Sequence, residues 1–223
     1  MIEYLQAVIF DADGTLVDSE ELGLDVLCEL ANAEGASISR TECNLLFRGI
    51  RMAEVTHKIA SMLPHGNTDF EAEFTARVRA ATLVRMQAGL DALPGALALL
   101  QALKVPFCVA TNGPREKVEM TLQRTGLRPM LQDRIYTAYE VGSFKPEPGL
   151  FLHAAAQLQT APQHCAVVED SIAGIQAGLA AGMQVFSLHP PTGLPSELSG
   201  KITSIRDLPD LHQRLQHLCN RPA

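Results

Sequence analysis

The sequence contains no apolar run approaching the roughly 18 residues that a membrane-spanning helix needs. Positive charge is also scarce, because 18 Lys and Arg residues stand against 25 Asp and Glu residues, giving a formal net charge of −7. Nucleic-acid binding needs clustered Lys and Arg, so this balance argues against a nucleic-acid partner. A small anionic substrate remains compatible with it, because a local site can be positive on an acidic protein.

The five cysteines show no CxxC spacing, and the seven histidines show no HxxxH spacing. Both absences argue against a zinc site. The first apolar run leads directly into acidic residues, without the basic stretch that opens a signal peptide. We therefore expect a reducing, cytoplasmic setting.

With 223 residues, the chain exceeds a typical single domain but is short for two full ones. Short apolar runs that alternate with helical patterns predict an α/β fold, a Rossmann-like parallel sheet with helices on both faces. The clearest strand candidates are residues 7–10, 105–111, 165–168 and 184–188, with shorter ones near Ile135 and Ile202.

Residues 19 to about 88 differ from the rest, because all of their apolar spacing is helical. We predict an α/β core of residues 1–17 and 90–223, interrupted by an all-helical cap of residues 18–89. A segment inserted after the first strand can close over a site at the end of that strand.

Polar residues follow three of the predicted strands. They are Asp11 and Asp13 after the first strand, Thr111 at the end of the second with Asn112 and Gly113 after it, and Glu169 and Asp170 after the third. Ligand sites in open parallel sheets lie at the carboxyl ends of the strands, so these groups should share one edge. Four converging carboxylates would raise one another's pKa unless a cation joined them, and Mg²⁺ favours such oxygen ligands. The alternative is that these residues only cap turns and helices.

Four ordered motifs carry a resemblance to a known family. They are "DADGTLVDS" (11–19), "TNG" (111–113), "KPEP" (145–148) and "VVEDS" (167–171). Together they resemble the haloacid dehalogenase-like superfamily of phosphohydrolases, and the helical insert resembles the small cap of its sugar-phosphate phosphatases. The resemblance implies Mg²⁺-dependent hydrolysis of small phosphate monoesters through an aspartyl-phosphate.

The resemblance also implies roles for individual residues. Asp11 would be the nucleophile and a metal ligand, and Asp13 the general acid and base. The backbone carbonyl of Asp13 would also bind the metal. Asp170 would be a direct metal ligand, with Glu169 assisting through water.

The remaining implied roles concern the substrate. Lys145 would offset charge between the nucleophile and the phosphoryl group. Thr111 and the backbone amides around Asn112 and Gly113 would hold the transferring oxygens. Arg48, in the predicted cap, could reach an anionic sugar. The expected partner is a phosphorylated small molecule, and the expected state is a monomer or weak homo-oligomer.

Two other functions fit part of this pattern. A sugar phosphomutase of the β-phosphoglucomutase type would share the fold, but those enzymes usually carry a histidine shortly after the first motif. The stretch "SEELGLDVLCEL" has none. A phosphate-accepting signalling module also combines acidic residues, Thr, Lys and Mg²⁺, but such domains are about half as long and place the acceptor aspartate on a later strand.

Overall fold

The computed structural model describes residues 4–47, 50, 52–64 and 67–218. The chain divides into two compact units, Met1–Val17 with Asp91–Ala223, and Asp18–Leu90. The sequence prediction put these divisions after residues 17 and 89. Among the described helices, none is both long and apolar enough to span a membrane.

The first unit is built on one sheet, whose order within the described residues is β3-β2-β1-β4-β5-β6 with every adjacent pair parallel. Its strands are β1 (Ala7–Phe10), β2 (Phe107–Thr111), β3 (Ile135–Thr137), β4 (Cys165–Glu169), β5 (Gln184–Ser187) and β6 (Thr203–Ser204). The central strands β1, β2 and β4 are buried along their whole length, as expected when both faces of a parallel sheet are covered.

Eight α-helices accompany this sheet in the described part of the first unit. They are α5 (Ala96–Ala102), α6 (Arg115–Arg124), α7 (Arg128–Leu131), α8 (Ala138–Val141), α9 (Gly149–Gln157), α10 (Ile172–Ala180), α11 (Ser196–Ser199) and α12 (Leu208–Leu218). Helix α9 packs on β1, β2 and β3, and α10 packs on β4 and β5. One sheet face thereby forms a core around Ile9 and Phe151, while Phe10, which points to the other face, packs edge-on against Phe107.

The second unit is helical throughout its described residues. Its helices are α1 (Glu20–Ala33), α2 (Arg40–Phe47), α3 (Met52–Met62) and α4 (Thr68–Ala88). They bury a separate apolar core that includes Leu27, Phe47, Ile59 and Phe74. Helix α4 begins at an Asn67 cap, whose side chain accepts a hydrogen bond from the backbone N–H of Phe70.

The predicted fold class is confirmed, and the differences lie at strand ends. Strand β2 begins at Phe107 and not at residue 105, because Pro106 has no N–H to contribute to the ladder. Strand β1 spans Ala7–Phe10, the predicted range. The chain then turns, with the N–H groups of Leu16 and Val17 both donating to the carbonyl of Ala12.

Candidate active site

The parallel register brings two acidic strand ends together at the centre of the sheet. Phe10 of β1 lies beside Val168 of β4, so Asp11 follows β1 where Glu169 ends β4. The backbone N–H of Asp11 donates to the Val168 carbonyl at 3.0 Å and extends the ladder by one bond. The sequence prediction that these residues share one edge therefore has a direct structural cause in the pairing of β1 with β4.

A buried ammonium group lies between the two carboxylates. The Nζ of Lys145 donates to Asp11 Oδ1 and, at 2.5 Å, to Glu169 Oε1. The same Nζ lies 4.9 Å from the centre of the Phe151 ring, a favourable cation–π distance. All three charged side chains are buried, and Glu169 is fully so. Two buried carboxylates thus share one ammonium group, which leaves the three side chains together with a net negative charge.

The loop that carries Lys145 is held in place by Asn112. The Asn112 side chain accepts from the Lys145 backbone N–H at 2.9 Å and donates to the Lys145 carbonyl at 3.2 Å. One amide side chain therefore satisfies both backbone groups of Lys145 and links the end of β2 to this loop. Sequence reasoning assigned Asn112 to substrate through its backbone, and missed this contact across 33 positions.

Burial strongly affects the pKa values of Asp11 and Lys145. Burial raises the pKa of Asp11 to about 7, although Lys145 acts in the opposite direction and Glu169 adds to the rise. Burial lowers the pKa of Lys145, but the carboxylates of Asp11 and Glu169 outweigh it, and the net direction is upward. Lys145 therefore stays charged, while the Asp11 carboxylate needs more positive charge than Lys145 alone supplies.

The second oxygen of Glu169 and the neighbouring Asp170 are also held by hydrogen bonds. Glu169 Oε2 accepts from the backbone N–H and the hydroxyl of Ser171, at 3.1 and 2.9 Å. Asp170 Oδ1 accepts from the Thr15 hydroxyl at 2.9 Å. Ser171 also caps α10 by accepting from the Gly174 N–H at 3.0 Å. The helix cap and the acidic pair therefore form one unit, and the capping alternative does not compete with a functional role.

Two glycines make room for these carboxylates. A Cβ on Gly174 would lie 1.9 Å from the Glu169 carboxylate carbon. A Cβ on Gly14 would lie 2.1 Å from Asp170 Oδ2, and the backbone of Gly14 has φ +75, which side-chain-bearing residues rarely adopt. Both positions accept only glycine without moving an acidic group.

The acidic residues form a set that fits a hard cation. Asp11, Glu169 and Asp170 each offer a carboxylate oxygen, and these oxygens lie within 4.8 Å of one another. Oxygen donors of this kind suit Mg²⁺. The raised pKa of Asp11 points the same way, because a bound cation would offset the cost of burying that carboxylate. The residues present therefore fit the expected metal.

Asp13 differs from the other carboxylates in its surroundings. Its side chain is not part of the metal-capable set found among the described residues. Its Oδ2 instead accepts from Lys117 Nζ at 2.6 Å. Sequence reasoning missed Lys117, although its place in the first turn of α6, directly after "TNGP", was a usable signal: long side chains on a helix lean toward its N-terminus.

Thr111 and Gly113 complete the described site. Thr111 is buried at the end of β2, and its hydroxyl oxygen accepts from the Gly113 N–H at 3.0 Å. A phosphate oxygen that used this N–H would replace that bond. A Cβ on Gly113 would lie 3.8 Å from Asp13 Oδ2, so this loop runs close to Asp13. Arg48 lies outside the described residues.

Comparison with known proteins agrees with this geometry. The family profile described as "haloacid dehalogenase-like hydrolase" matches residues 5–182. The chain is 35% identical over 184 residues to 6-phosphogluconate phosphatase from Escherichia coli K12. The aligned region covers 82% of this chain and 81% of that protein. It is 34% identical over 190 residues to hexitol phosphatase A from the same organism, covering 84% of each.

A solved structure agrees over nearly the full length. It is a conserved haloacid dehalogenase-like protein of unknown function from Agrobacterium tumefaciens C58, with a TM-score of 0.83 and 29% identity, covering 95% of this chain and 98% of that one. With four motifs at the carboxyl edge of a parallel sheet and a family profile that spans most of the sequence, this chain belongs to the haloacid dehalogenase-like hydrolase family.

Proposed function

We propose that this protein is a Mg²⁺-dependent phosphatase that hydrolyses small phosphate monoesters, specifically sugar or sugar-acid phosphates, through an aspartyl-phosphate on Asp11. The observation that carries the proposal is the placement of Asp11. It shares the buried Lys145 ammonium with Glu169, and one of its carboxylate oxygens lies within 4.8 Å of carboxylate oxygens of Glu169 and Asp170. A bound cation would stabilise a carboxylate buried in this way and would reduce its repulsion toward an incoming phosphoryl group.

In the first step, a carboxylate oxygen of Asp11 attacks phosphorus and the ester P–O bond breaks. Lys145 is already in contact with Asp11 and offsets part of the repulsion between carboxylate and phosphoryl oxygens. Asp13 gives its proton to the departing alkoxide. Thr111 and the backbone amides of Asn112 and Gly113 hold the transferring oxygens.

In the second step, water attacks the phosphorus of the aspartyl-phosphate, and Asp13 accepts a proton from that water. The P–O bond to Asp11 breaks, which regenerates the carboxylate and releases inorganic phosphate. The metal would be held by Asp11, Asp170 and the carbonyl of Asp13, with Glu169 assisting. When bound, Mg²⁺ supplies positive charge against the phosphoryl oxygens.

The substrate class rests on the relatives and on the predicted cap. The names 6-phosphogluconate phosphatase and hexitol phosphatase A both describe enzymes for small phosphorylated polyols or sugar acids. The roles of the helical insert as a cap and of Arg48 in binding an anionic sugar stay predictions from the sequence. The cytoplasmic setting also stays a prediction from the sequence.

The proposal predicts phosphate release that depends strictly on Mg²⁺. Wild-type protein offered sugar phosphates, sugar-acid phosphates, nucleotides and phosphoglycolate should release phosphate fastest from the sugar and sugar-acid esters. Chelation should remove this activity and added Mg²⁺ should restore it. Hexose 1-phosphates should yield free phosphate and no isomer, whereas isomer without phosphate would favour the mutase.

Metal binding itself can be measured without turnover. A ligand that binds only the folded state stabilises it, by about 2.7 kcal/mol at a hundredfold excess over its Kd. Added Mg²⁺ should therefore raise the melting temperature of metal-stripped wild-type protein, and this shift should be lost in Asp170→Asn.

In the phosphate-release assay described above, failure of every ester to release phosphate would contradict the proposed function.

A further inference from the structure

The ion pair between Lys117 and Asp13 has no place in the roles assigned so far. Lys117 Nζ lies 2.6 Å from Asp13 Oδ2, and each side chain is 32% exposed. Helix α6 fixes the backbone of Lys117, because its N–H donates to the Pro114 carbonyl at 3.1 Å in the first helical turn. The contact thus joins a rigid helix start to a residue on the turn that follows β1.

The two oxygens of Asp13 are in different environments. Oδ2 is bound by Lys117, whereas Oδ1 is buried and has no hydrogen-bond partner within residues 4–47, 50, 52–64 and 67–218. Leaving a buried acceptor unsatisfied costs about 1–3 kcal/mol, so an oxygen kept in that state requires an explanation. The Lys117 contact helps to keep Oδ1 in that state, because it holds the carboxyl group through the other oxygen.

Lys117 gives the Asp13 carboxyl group a fixed orientation. The terminal torsion of an aspartate is broad, so an unanchored carboxyl group samples many orientations. A charge-assisted hydrogen bond to one oxygen removes most of that freedom. An exposed ion pair of ordinary kind would contribute only about 0–1 kcal/mol to stability and would have no effect on the reaction.

We infer that Lys117 is a positioning residue, which holds Oδ2 of Asp13 and so fixes the orientation of the carboxyl group that exchanges a proton with the ester oxygen. This inference rests on the proposed function. Asp13 gives a proton to the leaving alkoxide as the ester P–O bond breaks, and later takes one from the attacking water. Lys117 keeps its own protons throughout and touches neither substrate nor metal.

The inference predicts a dependence on the leaving group. An alkyl alkoxide leaves poorly without a proton, whereas 4-nitrophenolate leaves without one. The specificity constant kcat/KM covers only the steps up to leaving-group departure, so it isolates the first use of Asp13. In Lys117→Met, kcat/KM for a primary sugar phosphate should fall by about 10²-fold, and that for 4-nitrophenyl phosphate by less than about threefold.

A matched control is Lys104→Met, which removes an exposed lysine ahead of β2, at the opposite end of the sheet from the site. It should leave both values unchanged. Equal losses for the two esters in Lys117→Met would overturn the inference, because a merely structural or electrostatic role does not distinguish leaving groups.

A double-mutant cycle tests whether Lys117 acts through Asp13. In an Asp13→Asn background, Lys117→Met should cause no further loss with the sugar phosphate, because the group it positions is already gone. A further tenfold loss would show direct action on substrate and overturn the inference. Both outcomes that would overturn the inference are measured relative to an active wild-type protein. A wild-type protein without phosphatase activity would instead contradict the proposed function, so the two kinds of failure can be distinguished.

Discussion

Asp11→Asn is expected to abolish phosphate release while leaving the protein folded. An amide has nearly the same shape as a carboxylate but is not a nucleophile toward phosphorus. Phosphate-monoester hydrolysis has uncatalysed rates so low that enzymes accelerate it by up to about 10²¹-fold. Loss of the nucleophile should therefore lower kcat by at least about 10⁴-fold, as in other enzymes that form covalent intermediates.

Phosphate release and thermal melting check this prediction together. Asp11→Asn removes a carboxylate that is costly to bury, so its melting temperature should not fall below that of the wild type. Asp133→Asn, at an exposed position, serves as the matched control and should keep full activity. Substantial Mg²⁺-dependent activity in Asp11→Asn would refute the assignment of the nucleophile.

Lys145→Met is expected to destabilise the protein strongly. It would leave the buried carboxylates of Asp11 and Glu169 without their shared ammonium group. Breaking a buried ion pair by removing one partner costs about 3–5 kcal/mol, which in a chain of this size lowers the melting temperature by about 6–20 °C. The rate of phosphate release should also fall, by at least about 10²-fold, because the positive charge that offsets the negative charge of the phosphoryl group is lost.

A second substitution separates stability from activity in this case. Adding Glu169→Gln to Lys145→Met removes one of the two uncompensated carboxylates, so the double variant should regain part of the lost stability but none of the activity. Lys104→Met should change the melting temperature by no more than about 1–2 °C. An unchanged melting temperature in Lys145→Met would contradict the buried charge cluster.

The sequence predicted the sheet well because its strands carry a strong local signal. Residues 7–10 and 165–168 are continuous apolar runs, and both form strands buried on two faces. The edge strand β6 has only two residues, so its signal near Ile202 was too weak to give its bounds. The short helices α7 and α8 were not predicted, because four residues hold too little periodicity to distinguish a helix from a turn.

The site was predictable where it follows from sheet topology and unpredictable where it depends on side-chain direction. Glu169 is the last residue of β4, and Asp11 and Asp170 directly follow the adjacent parallel strands β1 and β4, so their meeting followed from the order of the elements. The anchoring of Lys145 by Asn112 joins two loops that no local pattern connects. The place of Lys117 in the first turn of α6 was a signal in the sequence, but its partner Asp13 could be identified only from the structure.

The central claim is that Asp11 forms a covalent bond to phosphorus, and it can be observed directly. Wild-type protein mixed with a sugar phosphate carrying radioactive phosphorus and quenched in acid within one turnover should hold label on the peptide that contains Asp11. Asp11→Asn should hold none. Steady phosphate release with no label on that peptide, or with label on another residue, would contradict the account.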